Sequence, residues 1–79
     1  YYTYILTSLK YQGYYYGSTF DLQTRIKTHN AGKVKSTKSR RPLKRHNYET
    51  FQTKRDAIQR ERFFKSTGGY TWLKNQAII

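Results

Sequence analysis

Acidic side chains are so scarce in this chain that each can be given a role. The chain has 79 residues, with four aspartates and glutamates against 16 lysines and arginines. Asp21 and Asp56 each stand at the third helical position of a Ser/Thr-x-x-Asp capping pattern, where a carboxylate answers free backbone N–H groups. Glu49 lies in a predicted strand, where it faces solvent or pairs with a cation. Glu61 is therefore the acid left for chemistry.

Glu61 lies on the predicted inward stripe of a helix, which it shares with Ala57, Ile58 and Phe64. A carboxylate buried alone is costly, so a cation must meet it. Periodicity leaves two partners equally open: Arg25 or another cation in a structural ion pair, or a divalent metal ion. A lone carboxylate suits one hard ion, Mg²⁺ or Mn²⁺, completed by water and substrate phosphate, whereas two-metal sites need several carboxylates.

Arg25 and His29 stand four residues apart in a first predicted helix, roughly 21–31, so their side chains can reach the same object. A lone histidine near a helix end is more often structural than catalytic, so the pattern alone does not make His29 a catalyst. With only His29 and His46, no cysteine and no Gly-rich phosphate loop, a zinc site and a P-loop are excluded.

The strands and helices that position these residues are predicted from the periodicity of the hydrophobic residues and from the turn residues. Alternation predicts strands at 2–8, 14–18 and about 47–51, and a second helix runs from the Thr53 cap to about Lys65. Gly68 and Gly69 end it, and a last short helix over 70–79 turns Trp72 and Leu73 inward. The hairpin register stays open, because a four-residue loop puts Tyr4 and Tyr15 on one face and a five-residue loop separates them.

A formal charge of +12 combined with 14 aromatic residues favours nucleic acid as the partner over an acidic membrane or an acidic protein. A cationic solubilising surface is the bland alternative. The segment 33–45 reads as a loop that clasps phosphate or moves freely, and its cations predict affinity that falls steeply with salt. Its seven basic residues are Lys33, Lys35, Lys38, Arg40, Arg41, Lys44 and Arg45.

Other features of the sequence indicate the compartment of the protein and its number of domains. No apolar run approaches the length of a membrane span, and no basic helix with an apolar face is evident. Absence of cysteine fits a reducing compartment, so we expect a cytoplasmic protein with no membrane partner. At this length we expect a single domain over residues 1–79.

The motifs taken together resemble the GIY-YIG nuclease superfamily, over nearly the whole chain. They are similar to its stand-alone single-domain bacterial members and to the N-terminal nuclease domain of the excision-repair endonuclease. In chain order they are Tyr2-Thr3-Tyr4, ten residues, Tyr15-Tyr16-Gly17, Asp21-Leu22, Arg25, His29-Asn30-Ala31-Gly32-Lys33, Thr37-Lys38-x-Arg40-Arg41-Pro42, and Asp56-Ala57 leading to Glu61.

The resemblance implies an α/β (α+β) fold in which a small three-stranded antiparallel sheet is flanked by helices in the order β-β-α-β-α-α. It also implies five catalytic residues. Tyr4 is the general base or positions the attacking water, and Tyr15 bonds water or phosphate. Arg25 stabilises charge on the scissile phosphate, His29 fills a site that is His or Tyr among relatives, and Glu61 binds the single Mg²⁺ or Mn²⁺ ion.

The chain departs from the family pattern around these groups. Its first motif lacks glycine, and its second is Tyr15-Tyr16-Gly17, although both tyrosines and the final glycine are kept. Some relatives have a catalytic asparagine near the C-terminus, and Asn75 is the late candidate, with its role left open. The positive charge and a nearby ion are expected to favour the phenolate of Tyr4, whose pKa is otherwise about 10.

The resemblance implies a metal-dependent endonuclease that hydrolyses phosphodiester bonds, in DNA more than RNA, with a role in repair or in processing structured DNA. Specificity would then be low or be supplied by a partner protein. The alternative is a non-catalytic DNA- or RNA-binding module, a degenerate nuclease. A third hypothesis, docking on an acidic protein, predicts indifference to divalent ions.

Overall fold

Three antiparallel strands form one sheet, and three helices pack against it. In the computed structural model, which describes residues 1–79, the order is β-β-α-β-α-α, with α+β character. This confirms the predicted fold class and element order. The elements are β1 (Tyr2–Ser8), β2 (Tyr14–Thr19), α1 (Leu22–Asn30), a short 3₁₀ turn (Lys38–Arg40), β3 (Leu43–Thr50), α2 (Lys54–Phe64) and α3 (Thr67–Asn75).

The hairpin register puts both motif tyrosines on one face of the sheet. The strand order is β2-β1-β3, so β1 is central and pairs antiparallel with both neighbours. Tyr4 lies opposite Gly17, and Leu6 lies opposite Tyr15. Since directly opposed residues share a face and side chains alternate along a strand, Tyr4 and Tyr15 point the same way. This is the face relation expected of the four-residue loop, although the last paired residues, Thr7 and Tyr14, leave residues 8–13 between the strands.

The two faces of the sheet support separate buried clusters. Helix α1 covers the face of Tyr4 and Leu6, and it packs Leu22 against them, with Leu43 of β3 completing the cluster. The helices α2 and α3 cover the other face. Ile5, Phe64 and Leu73 are buried there, and the partly buried aromatic Trp72 packs against them as predicted.

Two element boundaries were predicted wrongly. Strand β3 begins at Leu43 instead of near residue 47, so Lys44 and Arg45 belong to a strand and not to the basic loop. Its outer positions carry charged residues, which hides the alternation that marks a strand. The last helix begins at Thr67, with Ser66 as its cap, and Gly69 lies buried within its first turn.

One capping assignment was also wrong. Asp21 is itself the N-cap of α1, where its carboxylate accepts a 3.1 Å hydrogen bond from the Thr24 amide. It therefore does not stand at the third position after a Ser18 cap. The second assignment is confirmed, because Thr53 caps α2 by accepting from the Asp56 amide. No helix is both long enough and apolar enough to cross a membrane.

Candidate active site

Tyr4 is the residue around which the predicted site residues gather. It lies on the central strand and is only 1% exposed. Its ring runs across the backbone of Gly17 on β2, where a Cβ would overlap the Tyr4 hydroxyl and would lie 2.9 Å from Cε2. Glycine at this position therefore gives the Tyr4 ring its room over β2.

The Tyr4 hydroxyl contacts two side chains of α1. Nε2 of His29 lies 2.9 Å from the hydroxyl oxygen, and Nε of Arg25 lies 3.4 Å from it. The guanidinium can only donate, so the Tyr4 oxygen accepts from Arg25. The hydroxyl hydrogen is then free to point at His29, which accepts it. The predicted four-residue spacing of Arg25 and His29 thus brings both side chains to one oxygen.

The other ring nitrogen of His29 is held by Thr37, from the segment that follows α1. Nδ1 of His29 lies 2.7 Å from the Thr37 hydroxyl, which in turn donates to the carbonyl oxygen of Val34 at 3.4 Å. We assign the hydrogen to Nδ1, because the Thr37 hydroxyl can then accept from the imidazole and donate to the carbonyl, and Nε2 is left as the acceptor. His29 and Thr37 are fully buried, and no buried side-chain polar atom in the protein lacks a hydrogen bond.

Burial sets the protonation of this chain of hydrogen bonds. Burial, with the Arg25 charge as a second cause, lowers the pKa of His29 from 6.5 to about 4, so the imidazole is neutral at neutral pH. Burial also raises the pKa of Tyr4 above its ordinary value, and the hydrogen bond from Arg25 only partly opposes this. Desolvation therefore outweighs the positive surroundings at Tyr4 without a bound ion, and the predicted effect of a nearby ion on its phenolate stays a prediction.

Tyr15 completes one side of the group through ring contacts. Its ring centroid lies 5.0 Å from that of His29, edge to face, and 6.4 Å from that of Tyr4. The hydrogen bond to Tyr4 is the main cause that raises the pKa of the Arg25 guanidinium, and Tyr15 adds to it. Four of the five predicted site residues therefore lie together.

The arrangement of two tyrosines, an arginine and a histidine on a β-β-α unit agrees with a match to a known domain. The family model for the GIY-YIG catalytic domain matches residues 1–75. The chain belongs to the GIY-YIG family. This is a nuclease family, so nucleic acid is the substrate class of the domain. Its members generally use a divalent metal ion, although the match specifies neither the ion nor its position.

Bacterial relatives of this GIY-YIG protein carry names that state no activity. "UPF0213 protein" of Bacillus pumilus is 46% identical over 63 residues, covering 78% of this chain and 59% of the relative. "UPF0213 protein YazA" of Bacillus subtilis is 51% identical over 57 residues, covering 71% and 58%. A relative in Lactiplantibacillus plantarum is 47% identical over 77 residues, covering 94% and 75%. The chain thus spans under two thirds of the length of the two Bacillus relatives. No solved structure matches it significantly.

Glu61 shares no hydrogen bond with the other four residues. Its side chain is 22% exposed, and its Oε2 atom accepts from the Lys65 ammonium at 2.6 Å. It is near enough to Tyr4 for its charge to contribute to the raised pKa of that hydroxyl. The structural ion pair considered from the sequence is present, but with Lys65 in place of Arg25.

The donor set limits how a metal could be held. No three histidine, cysteine or acidic side chains cluster together, so an all-protein cage is absent. Oε1 of Glu61 has no hydrogen-bond partner, and the carboxylate is partly open to water. This fits a hard divalent ion bound by one carboxylate and otherwise by water and phosphate, and it fits no softer metal.

Glu49 has a structural role, and Asn75 lies outside the candidate site. Glu49 forms a two-pronged ion pair with Arg60, at 2.7 Å and 3.2 Å. Asn75 is the exposed last residue of α3 and makes no hydrogen bond with the candidate site. Its assignment to the site therefore gains nothing from the geometry.

The seven basic residues predicted to bind nucleic acid divide among several places. Three of them, Lys35, Lys38 and Arg41, line an open groove of about 530 Å³ with Lys10 and Ser39, and none of its lining residues is hydrophobic. Arg45 stacks on Tyr48 of the same strand, with its guanidinium 4.9 Å from the ring centroid. Lys33 and Lys44 are exposed, and Arg40 is half-buried.

The basic segment is fastened to the fold, which the sequence did not reveal. Asn30 bonds Leu43 through both its amide atoms, at 3.0 Å and 2.7 Å. The Ser8 hydroxyl donates to the Arg40 carbonyl at 2.6 Å, and Thr37 holds His29. Thr37 is the site residue that sequence analysis missed, because the family stretch that begins with it gives no sign that its hydroxyl contacts His29.

Proposed function

We propose that this domain is a divalent-metal-dependent endonuclease that hydrolyses phosphodiester bonds in DNA. Its five catalytic residues are Tyr4, Tyr15, Arg25, His29 and Glu61. The observation that carries the proposal is the Tyr4 hydroxyl, which accepts from Arg25 on one side and faces the free nitrogen of His29 on the other. That arrangement supplies a proton acceptor and a phosphate-binding cation at one oxygen.

Proton transfer then runs from the attacking water through Tyr4 to His29. The water gives a proton to the Tyr4 oxygen while Tyr4 passes its own to Nε2, so Tyr4 stays neutral and His29 becomes imidazolium. The phosphorus–oxygen bond to the leaving group breaks, and that oxygen takes a proton from solvent. This path removes the need for a free phenolate, which burial disfavours at Tyr4.

Substrate binding itself makes His29 a better acceptor. The Arg25 charge is one of the two causes that lower the pKa of His29. A phosphate bound at Arg25 offsets that charge, so the pKa of His29 rises when substrate arrives. Arg25 also neutralises charge that grows on the phosphate oxygens in the transition state.

Glu61 is the residue of this chain proposed to hold Mg²⁺ or Mn²⁺. A bound ion would supply Lewis-acid stabilisation at a phosphate oxygen. Lys65 competes for the same carboxylate, at 2.6 Å from Oε2. Lys65 and the ion are therefore alternatives at that oxygen, or the ion uses Oε1 alone.

The basic groove of Lys10, Lys35, Lys38 and Arg41 is proposed to follow the DNA backbone without reading bases. Affinity through it falls steeply with salt because bound counterions are released. Specificity for repair intermediates or other structured DNA then comes from DNA shape or from a partner protein.

A cleavage assay with two variants and matched controls tests the proposal. Plasmid, branched DNA and RNA are incubated with the protein in Mn²⁺. Arg25→Ala is expected to lower the cleavage rate about 100-fold or more, as for loss of a charge-stabilising donor. Glu61→Gln is expected to abolish cleavage in Mn²⁺. The controls are Arg55→Ala, at an exposed position of α2, and Glu49→Gln, in the Arg60 pair. Cleavage that survives Glu61→Gln unchanged overturns the metal role.

One observation favours a second candidate, a binding module without catalysis. The Glu61–Lys65 pair already neutralises the acid without any metal. A degenerate nuclease would show this arrangement and would bind DNA or RNA through the same basic groove. Binding without cleavage of every substrate, in Mg²⁺ and in Mn²⁺, would favour it over the endonuclease.

A further inference from the structure

A cleft of about 360 Å³ opens beside the N-terminal end of α1, apart from the Tyr4 group and from the basic groove. Three aromatic side chains line it: Tyr2, Phe20 and Tyr48. The rings of Tyr2 and Tyr48 meet edge to face at 5.9 Å, and Arg45 lies over the Tyr48 ring. Its volume is at the lower end of small-ligand clefts, about 300–1,000 Å³, so it suits one compact group.

The fold does not explain two of these aromatic groups, since only Tyr2 packs against the Tyr4 cluster. Phe20 is 76% exposed, belongs to neither buried cluster and directly precedes the Asp21 cap. An apolar residue there can pack on the fourth residue of the helix, but that residue is Arg25. Tyr48 is 43% exposed. Single exposed aromatics are ordinary on protein surfaces. Several of them around one cleft, with an arginine stacked on one ring, form the kind of surface on which nucleic-acid bases stack.

The charges of the cleft favour a base over a phosphate. Its charged residues are one cation, Arg45, and one anion, Asp21. Hydrogen bonds from the backbone and side chain of Thr24 lower the pKa of Asp21, so it is a carboxylate at neutral pH and repels phosphate. Gln23 adds an amide that can bond a base edge. The basic groove shows the opposite chemistry, with lysines, an arginine and no hydrophobic lining.

The cleft lies within reach of a strand bound at the candidate active site. Tyr48 is the residue directly opposite Tyr4 on β3, and Tyr2 is two residues before Tyr4 on the same face. The Tyr4 hydroxyl reaches the other way, over Gly17 of β2. Two strand spacings, about 10 Å, therefore separate the hydroxyl from the strand that carries Tyr48.

We propose that this cleft receives one unpaired nucleobase, so that the protein prefers DNA with single-stranded or frayed nucleotides next to the scissile phosphate. The inference rests on the proposed function for the position of the cut. The binding of the base does not depend on cleavage. The ligand class is a single-stranded nucleic acid, whose base is held mainly by stacking, with Gln23 able to bond its edge.

Binding without divalent ions tests the cleft directly. The probes are a fluorescently labelled single-stranded DNA oligonucleotide and its blunt duplex, measured by anisotropy at one salt concentration. Phe20→Ala is expected to weaken single-strand binding about ten-fold, the size of one lost base stack, and to change duplex binding less than about two-fold. The matched control is Tyr70→Ala, because Tyr70 is 53% exposed and has Lys74 over its ring at 5.6 Å.

A second measurement detects stacking without relying on affinity. A 2-aminopurine in the single strand is expected to lose fluorescence on binding the unaltered protein and to keep more of it with Phe20→Ala. Equal effects of Phe20→Ala and Tyr70→Ala, or equal losses for single strand and duplex, would overturn the cleft. Selective single-strand binding by a protein that cuts nothing would reject the endonuclease and keep the cleft. If the protein cleaves DNA and Phe20→Ala changes neither cleavage nor single-strand binding selectively, the cleft is rejected and the endonuclease is kept.

Discussion

The two faces of the sheet bury different kinds of side chain. Beneath α1, the Tyr4 face buries a continuous polar series of Tyr4, His29 and Thr37 among aliphatic residues. Beneath α2 and α3, the Ile5 face is packed with aliphatic and aromatic groups. Its one buried polar side chain, Thr3, donates to the Ala57 carbonyl at 2.6 Å. The first face holds the proposed catalytic groups in place, and the second contributes apolar packing.

The second face shows how a small domain with few aliphatic residues fills a core. Phe64 and Trp72 stack at 6.3 Å, and Phe63 packs edge-on against Trp72 at 6.1 Å. Arg60 covers this group, with its guanidinium 4.4 Å from the Trp72 centroid, while it pairs with Glu49. Aromatic pairs add about 0.5–1.5 kcal/mol each beyond area burial. Stability can therefore be lost on this face without touching the polar series.

The largest effect is expected from Gly17→Ala on the Tyr4 face. The new Cβ overlaps the Tyr4 hydroxyl and ring, so the ring must leave its contacts with His29 and Arg25. We expect cleavage to fall by 100-fold or more and the protein to lose stability, measured by single-turnover cleavage and urea unfolding. Gly68→Ala is the matched control, because its nearest neighbouring atom is the Ser66 oxygen at 4.0 Å. Cleavage retained in Gly17→Ala would contradict the role of the Tyr4 position.

Leu73→Ala is expected to break the other face alone. Leu73 is fully buried, and such truncations cost about 2–5 kcal/mol through lost transfer energy and the cavity left behind. Urea unfolding measures the loss, and the cleavage rate at a temperature where the variant stays folded is expected to be unchanged. A large fall in that rate would mean that the two faces are coupled.

Acid is expected to weaken the Tyr4 face through His29. The folded pKa of about 4 lies below the unfolded value of 6.5, so the unfolded chain binds the proton first. This contribution is fully present above pH 6.5 and is lost as pH falls to 4, by at most about 3 kcal/mol. The measurement is the free energy of unfolding between pH 7 and pH 4.5. The difference between the protein and His29→Gln should shrink with acid.

A smaller, more selective effect is expected from Thr37→Val. Valine keeps the volume but leaves Nδ1 of His29 without its partner, at a cost of about 1–3 kcal/mol for an unsatisfied buried group. The hydrogen is then free to move to Nε2, which blocks proton acceptance from Tyr4. We expect ¹⁵N NMR to show a changed tautomer population and the cleavage rate to fall about ten-fold. Thr37→Ser should restore both, and a variant with an unchanged tautomer would rule out the positioning role.

Local patterns predicted most of the fold because each element has its own mark. The alternation of β1, the Thr53 cap of α2 and the spacing of Arg25 and His29 are all readable within a few residues. The start of β3 was missed because its exposed edge carries lysine and arginine, which read as loop. The charged residues at the start of β3 are part of a paired strand, and this is visible only from the register with β1.

The residues of the candidate site were easier to predict than their protonation states and hydrogen-bond partners. Sequence placed Tyr4, Tyr15, Arg25 and His29 as candidates, and they lie together. The raised pKa of Tyr4 was not foreseen because net charge is a property of composition, whereas desolvation depends on which atoms cover the hydroxyl. Thr37 was missed for the same reason, since its contact with His29 exists only after the 33–45 segment has folded back.

The attachment of Thr37 to His29 has a practical consequence for exchanging loops among GIY-YIG proteins. The segment that carries Lys35, Lys38 and Arg41 also carries the hydroxyl that fixes the imidazole. A graft chosen to change affinity for DNA would therefore also remove the hydrogen-bond partner of His29 Nδ1, unless a serine or threonine is kept at position 37. Affinity for DNA and the cleavage rate are therefore expected to change together in such chimaeras.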